Sequence, residues 1–190
     1  MEPGEFRTES GKGWRVVSVG THALKAGAKS ELWVRLRQHR GTANFGGGNH
    51  RGSIFRKIVG VALIELDGLD CPTWDQYPNT ARREVRDAER PTEQDVSRVI
   101  GDMPFPWLSV EDEPGPESER GFIERNAIAL LSNSRKVAID APSRTWLGKH
   151  CNREKVRCSG LWNSNHVSDD YDPAFLDTLE DFVRRTEESS

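Results

Sequence analysis

The stretch from Val16 to Ser53, VVSVGTHALKAGAKSELWVRLRQHRGTANFGGGNHRGS, constrains this chain more than any other. Its valines, Val16, Val17 and Val19, suit an extended segment, so Arg15–Gly20 reads as a strand that ends on a glycine. A Gly/Ala/Ser loop follows, and then a helix. Ser30 is its expected N-cap, Glu31 lies favourably in its first turn, and Leu32 and Leu36 form its apolar stripe. Arg35 and His39 are four residues apart, which puts both on one helical face. Thr42–Asn49 is a loop with three consecutive glycines, and the basic run His50-Arg51-Gly52-Ser53 comes directly after it. Backbone freedom at the glycines and cationic side chains on either side are the ingredients of a phosphate grip. Arg37, Arg40, His50 and Arg51 are accordingly candidate substrate contacts.

Charge is distributed in the same sense. The 190-residue chain has a formal net charge of −3. Between Arg15 and Lys57, however, nine Lys/Arg face a single acid, Glu31, while residues 58–190 are acidic. A basic third on an acidic body is a local electrostatic footprint of the kind that nucleic acid selects. A solvated basic face without a partner would look the same in the sequence. Mean hydropathy is −0.70. No apolar run approaches the roughly 18–20 residues that span a bilayer, and the first ten residues, MEPGEFRTES, lack the apolar core of a signal peptide. The expectation is a cytoplasmic protein with no membrane partner. Three cysteines do not make a disulfide framework.

The remaining chain alternates helical patterns with loops. Ile54–Leu66 has helical apolar spacing and reads as a buried helix. Asp67–Asn79 reads as loop, Thr80–Arg90 as a helix, and Pro91 as the start of another that runs to about Ile100. Phe105–Val110 is expected as an edge strand because of Pro106. Glu111–Glu119 is an acidic Pro/Gly loop, Arg120–Leu131 a helix, Arg135–Trp162 irregular, and a final amphipathic helix opens at Asp172-Pro173. This order points to an α/β or α+β domain.

Two sets of residues resemble a known family. Ser18-Val19-Gly20 lies where the GIY-YIG nuclease superfamily has its Tyr-Ile-Gly motif, and Leu32-Trp33-Val34-Arg35-Leu36-Arg37-Gln38-His39 is similar to that family's Leu-x-x-Arg-Leu-x-x-His helix. Glu124, within Phe122-Ile123-Glu124-Arg125-Asn126, is the match for the family's metal-binding glutamate, and Asn133 the nearest match for its later asparagine. The resemblance covers about residues 14–41 and, more loosely, Glu124. It implies an α+β fold, a small, mostly antiparallel sheet flanked by helices, with residues 1–190 as one GIY-YIG-like nuclease domain bearing extra helices and C-terminal additions. It also implies hydrolysis of DNA phosphodiesters with Mg²⁺ or Mn²⁺, RNA not excluded. Glu124 would hold the metal, Arg35 would stabilise the phosphorane charge, and His22 or His39 would move a proton or orient water. Two departures stand out. No tyrosine precedes Tyr77, so the first Gly-Ile-Tyr strand is missing, through truncation or true loss, and Ser18 occupies the place of the second tyrosine. The competing expectation is therefore a catalytically inert nucleic-acid-binding module of the same fold.

Other groupings carry less. His150, Cys151, Cys158 and His166 are spaced unlike zinc ligands, whose pairs lie two to four residues apart. Nothing in the sequence places a base beside a cysteine nucleophile. Trp146, Trp162, Asn163, Asn165 and His166 form an aromatic-polar group that reads either as a base-stacking surface or as tryptophans anchoring a long loop to the core.

Overall fold

The structure, a computed structural model, describes residues 2–8, 11–76 and 80–188, with side chains from Trp14 onward. Two strands open the chain, β1 (Glu2–Thr8) and β2 (Gly11–Arg15). Six α-helices follow among the described residues: α1 (Leu32–Arg40), α2 (Ile54–Asp67), α3 (Arg83–Gly101), α4 (Glu119–Leu131), α5 (Glu154–Ser159) and α6 (Phe175–Glu188).

The protein is mostly helical, and the small antiparallel sheet flanked by helices expected from the sequence is not seen. Strand pairing among the described residues is confined to the antiparallel β1–β2 ribbon, with Glu2 opposite Arg15 and Thr8 opposite Gly11, and one isolated bridge between Thr42 and Gly47. Neither ribbon strand contains a Gly-Ile-Tyr sequence. The expected strand at Arg15–Gly20 runs past the end of β2 as extended chain without a ladder. Its partner is an irregular turn: Trp162 N donates to Val17 O at 2.7 Å, and the Asn163 side-chain amide both accepts from Val19 N (3.0 Å) and donates to Val19 O (2.7 Å). One asparagine thus does locally what a neighbouring strand would do. The expected strand at Phe105–Val110 is irregular as well. Pro104 and Pro106 each lack the amide that a ladder requires.

The helices follow their local signals with two exceptions. Ser53 caps α2 by accepting from Arg56 N, and Gly68 closes it in the left-handed conformation at φ 62°. Ser118 likewise caps α4. Ser30 does not cap α1, because its hydroxyl accepts from Ala23 N at 3.1 Å, and Glu31 takes the N-cap place without a side-chain bond. The two helices expected to meet at Pro91 are one, α3, with Pro91 inside it on the exposed face. A proline there forfeits only one backbone bond, while the buried Thr92, Glu93 and Val96 hold the helix to the core on its other side.

Helix α2 is central. Ile58, Val59 and Ala62 are fully buried and pack with Val17, Trp74, Val96, Trp146, Val156 and Trp162. A smaller cluster of Ile128, Leu161 and Val167 joins α4 to the C-terminal turns. Trp146 and Trp162 lie in the main core 5.4 Å apart, so these two tryptophans anchor the long irregular segment.

The element that sets α1 against this core is charged. Arg56 of α2 is fully buried. Its guanidinium donates to the Glu93 carboxylate (3.0 Å through Nε), to the α1 C-terminal carbonyls of His39 (2.9 Å) and Arg40 (3.1 Å), and to Ser97 Oγ (3.0 Å). Burial alone would raise the Glu93 carboxyl, but the His50 hydrogen bond and the Arg56 charge hold it below the usual carboxylate range. The glycine loop wraps this pair. A side chain at Gly48 would place Cβ 2.4 Å from Arg56 Cζ, and one at Gly47 would place it 2.4 Å from Glu93 Cβ.

Removing one partner of a buried, hydrogen-bonded ion pair strands the other, at a cost of about 3–5 kcal/mol. Arg56→Met is expected to lower unfolding stability by that amount in urea titration, and Gly48→Ala by roughly 1–3 kcal/mol through overpacking. Unchanged stability in Arg56→Met would show that this pair does not hold α1.

Candidate functional site

The candidate residues separate into two groups in space. The first gathers around the loop that follows the extended Val16–Gly20 segment. Thr21 N donates to Glu124 Oε1 of α4 at 3.1 Å, which ties this loop to the middle of that helix. His22 comes next. Burial lowers its pKa, and the charges of Arg120 and Arg35 lower it further against an opposing effect of Asp112, so the imidazole is held neutral at neutral pH. Arg120 of α4 clasps the preceding loop: it pairs with the Asp112 carboxylate and donates to the carbonyls of Val110 (3.2 Å) and Asp112 (2.6 Å). Arg35 approaches from α1, with one guanidinium nitrogen 3.0 Å from Gln38 Oε1.

Glu124 is half-buried. Burial pushes its carboxyl up, with the Thr21 amide and the charge of His166 in partial opposition. Only Oε1 has a protein hydrogen bond among the described residues. His166 sits in a left-handed turn (φ 59°), paired through Nδ1 with Asp169 at 2.8 Å. Asn126, two residues after Glu124, holds this turn's far end by accepting from Asp172 N at 2.7 Å.

Among the described residues no group of three or more His, Cys, Asp or Glu converges. A divalent ion at Glu124 would therefore draw at most two ligands of these types from the described residues. That suits Mg²⁺, which keeps most of its waters and takes the remaining ligands from substrate phosphate. The charged form of a half-buried carboxylate gains more from a nearby cation than an exposed one does.

The second group is structural in its contacts. His50 is buried, stacked on Trp74 at 3.9 Å, and both its backbone amide (2.6 Å) and Nδ1 (2.9 Å) meet Glu93 Oε1. Arg51 makes a two-pronged pair with Glu89 at 2.6 and 2.7 Å. It lines a cleft of about 360 Å³ between the glycine loop and α3, yet both its terminal nitrogens are already engaged. The glycine run that reads as a phosphate grip encloses the Arg56 guanidinium instead. His39 also turns inward, its Nδ1 2.6 Å from Ser53 Oγ and its ring edge-on to Phe55. Asn133 donates to Asp140 O (3.1 Å) and its backbone to Ser159 O (2.9 Å), at the junction of α4 and α5. Arg37 and Arg40 are exposed on α1.

Glu124 is thus joined to the His22 loop through Thr21, and His22 feels the charge of Arg35, whereas His39, His50, Arg51 and Asn133 are engaged in contacts within the protein. Residues not singled out as site candidates by the sequence also contribute: Asp112 and Arg120 near His22, His166 near Glu124, and Asn163, which fixes the strand-like segment. Asn163 and His166 were visible as a polar pair beside Trp162, but nothing local linked them to a helix forty residues earlier.

The GIY-YIG domain model matches residues 1–189. The chain belongs to the GIY-YIG domain family. This GIY-YIG protein has no match among the curated proteins and none among the solved structures. GIY-YIG nuclease domains act on nucleic acids, and membership places the chain among domains of nuclease type. Among the described residues no helix is long and apolar enough to cross a membrane.

His39 offers a direct reading of its inward position. Burial, reinforced by Arg35 and Arg56, lowers its pKa from 6.5 to about 4. The unfolded chain therefore binds this proton more readily than the folded one. The stabilising contribution is full above about pH 6.5 and is lost progressively as pH falls towards 4. His39→Gln is expected to flatten that part of the stability–pH profile measured by thermal unfolding. An unaltered profile would place the imidazole in solvent.

Proposed function

We propose that this protein is a divalent-metal-dependent endonuclease that hydrolyses DNA phosphodiester bonds. The observation that carries the reading is the 3.1 Å bond from Thr21 N to Glu124, which sets a half-buried carboxylate beside the His22 loop. His22 in turn lies within the electrostatic reach of Arg35. A carboxylate to hold a metal, a neutral imidazole and a guanidinium are the three functional types that phosphodiester hydrolysis needs, and Thr21 and His22 link them along one loop.

Mg²⁺ or Mn²⁺ held by Glu124 would supply Lewis-acid neutralisation of the departing oxygen. His22 accepts a proton from the attacking water, whose oxygen forms the new bond to phosphorus while the P–O bond to the leaving group breaks. Arg35, with its planar fork of donors, stabilises the negative charge gathered on the phosphoryl oxygens. With Ser18 in the place of the motif tyrosine, His22 is the chain's proton acceptor at the site. Ser18 in the place of the motif tyrosine favours a second reading, an inert module that binds nucleic acid through the same basic surface.

Nicking of supercoiled plasmid in Mg²⁺ or Mn²⁺ distinguishes the two. Glu124→Gln is expected to reduce cleavage at least about 10²–10³-fold, and His22→Ala about 10²–10⁴-fold, with DNA affinity little changed. Mn²⁺ is expected to raise the melting temperature of the unaltered protein but not that of Glu124→Gln. Salt-sensitive DNA binding without cleavage, and without a metal-induced shift, would establish the inert module.

A further inference from the structure

Three large aromatic side chains stand together on the surface, outside the site described above. Trp33 of α1 is 54% exposed, Phe105 49% and Trp107 51%. Trp33 meets Phe105 at 6.3 Å and Trp107 at 6.4 Å between ring centroids, both edge-to-face. An exposed aromatic cluster of this size is uncommon on a surface without a partner. Edge-to-face contact also leaves indole and phenyl faces unused.

The cluster is held rigid. Helix α1 is fixed at its C-terminus by Arg56, and the segment bearing Phe105 and Trp107 is stiffened by Pro104 and Pro106 and clasped at Val110 and Asp112 by Arg120. On the α1 surface, Trp33, Arg37 and Arg40 follow at intervals of four and three, so they form one stripe. Both arginines are exposed, and α1 contains no acid. Aromatic faces beside unopposed cations match a strand of unpaired nucleotides, with bases on the rings and phosphates on the guanidiniums. The acids nearest in sequence are Glu31, at the N-cap of α1 two residues before Trp33, and Asp102 and Glu111, which flank the segment that bears Phe105 and Trp107.

Placement relative to the site agrees. Trp33 is two residues before Arg35 on the same helix. Trp107 is five residues before Asp112, whose charge reaches His22. Both chain segments that present the aromatics therefore also carry candidate-site residues, with Trp33 and Arg35 on different faces of α1.

We propose that Trp33, Phe105 and Trp107, with Arg37 and Arg40, form a stacking platform that binds unpaired nucleotides of the substrate next to the cleavage site. This rests on the nuclease reading and narrows it to DNA that carries a single-stranded stretch, such as an overhang, flap or melted junction.

The test is fluorescence anisotropy of the full chain in EDTA with a labelled oligo(dT) 12-mer and, separately, a blunt 12-base-pair duplex. Trp33→Ala/Trp107→Ala is expected to weaken oligo(dT) binding roughly tenfold or more and duplex binding less than twofold. Oligo(dT) is also expected to quench tryptophan fluorescence in the unaltered protein. Equal losses on both ligands, or no loss on either, would overturn the platform while leaving plasmid cleavage intact as evidence for the nuclease. A dimer in sedimentation that the double substitution dissociates would identify the patch as a contact between copies and overturn the proposal. Failure of the unaltered protein to bind either ligand or to cleave plasmid would overturn both readings together.

Discussion

The buried Arg56–Glu93 pair is the interaction on which the arrangement of this molecule depends. A guanidinium with no exposure to water must have each of its charges and donors answered from within. It is answered by Glu93 and Ser97 of α3 and by the last carbonyls of α1. Three helices are thereby fixed to a single side chain. The glycine loop and the His50–Trp74 stack then follow as packing requirements, because only backbone without Cβ fits around the pair. The direct consequence for function is the pose of α1, which carries Arg35 on its inward side and Trp33 on its outward side.

On the far side of α1 the molecule manages with few hydrogen bonds what a sheet would normally supply. The Asn163 amide pairs with both polar groups of Val19, and the Thr21 amide meets Glu124. These contacts draw the segment after β2, the middle of α4 and the His166 turn into one place. A half-buried carboxylate whose pKa is raised meets this loop at Thr21, next in sequence to an imidazole whose pKa is lowered. Such opposed displacement is what acid–base chemistry uses.

The sequence made a good part of this legible. The period of Ile54–Leu66 predicts α2 to within one residue of its observed end, whereas Ser30, the one cap expected from the sequence, bonds Ala23 N instead of capping α1. The Leu-x-x-Arg-Leu-x-x-His spacing points to the family that the domain match over residues 1–189 shows. Other features were out of reach for physical reasons. The composition of GGGNHRGS fits a phosphate grip and an internal arginine equally well. The deciding residues, Arg56 and Glu93, are thirty-seven positions apart and look like ordinary charged helix residues in sequence. The expected sheet failed because pairing is a long-range property: valines at 16–19 favour extension, but the chain that meets them at 160–163 is a turn. Pro91 reads locally as a helix start, while the burial of Thr92, Glu93 and Val96 carries one helix through it.

The central claim is that the two basic clusters have different duties: Arg35 serves chemistry and Arg51 serves structure. The most direct measurement is single-turnover DNA cleavage by Arg35→Ala and Arg51→Ala, each with its melting temperature. The account predicts that Arg35→Ala loses about 10²–10³-fold in rate at an unchanged melting temperature, and that Arg51→Ala melts earlier while its folded fraction cleaves at the normal rate. A normal rate in Arg35→Ala, or a rate lost in a fully stable Arg51→Ala, would contradict it.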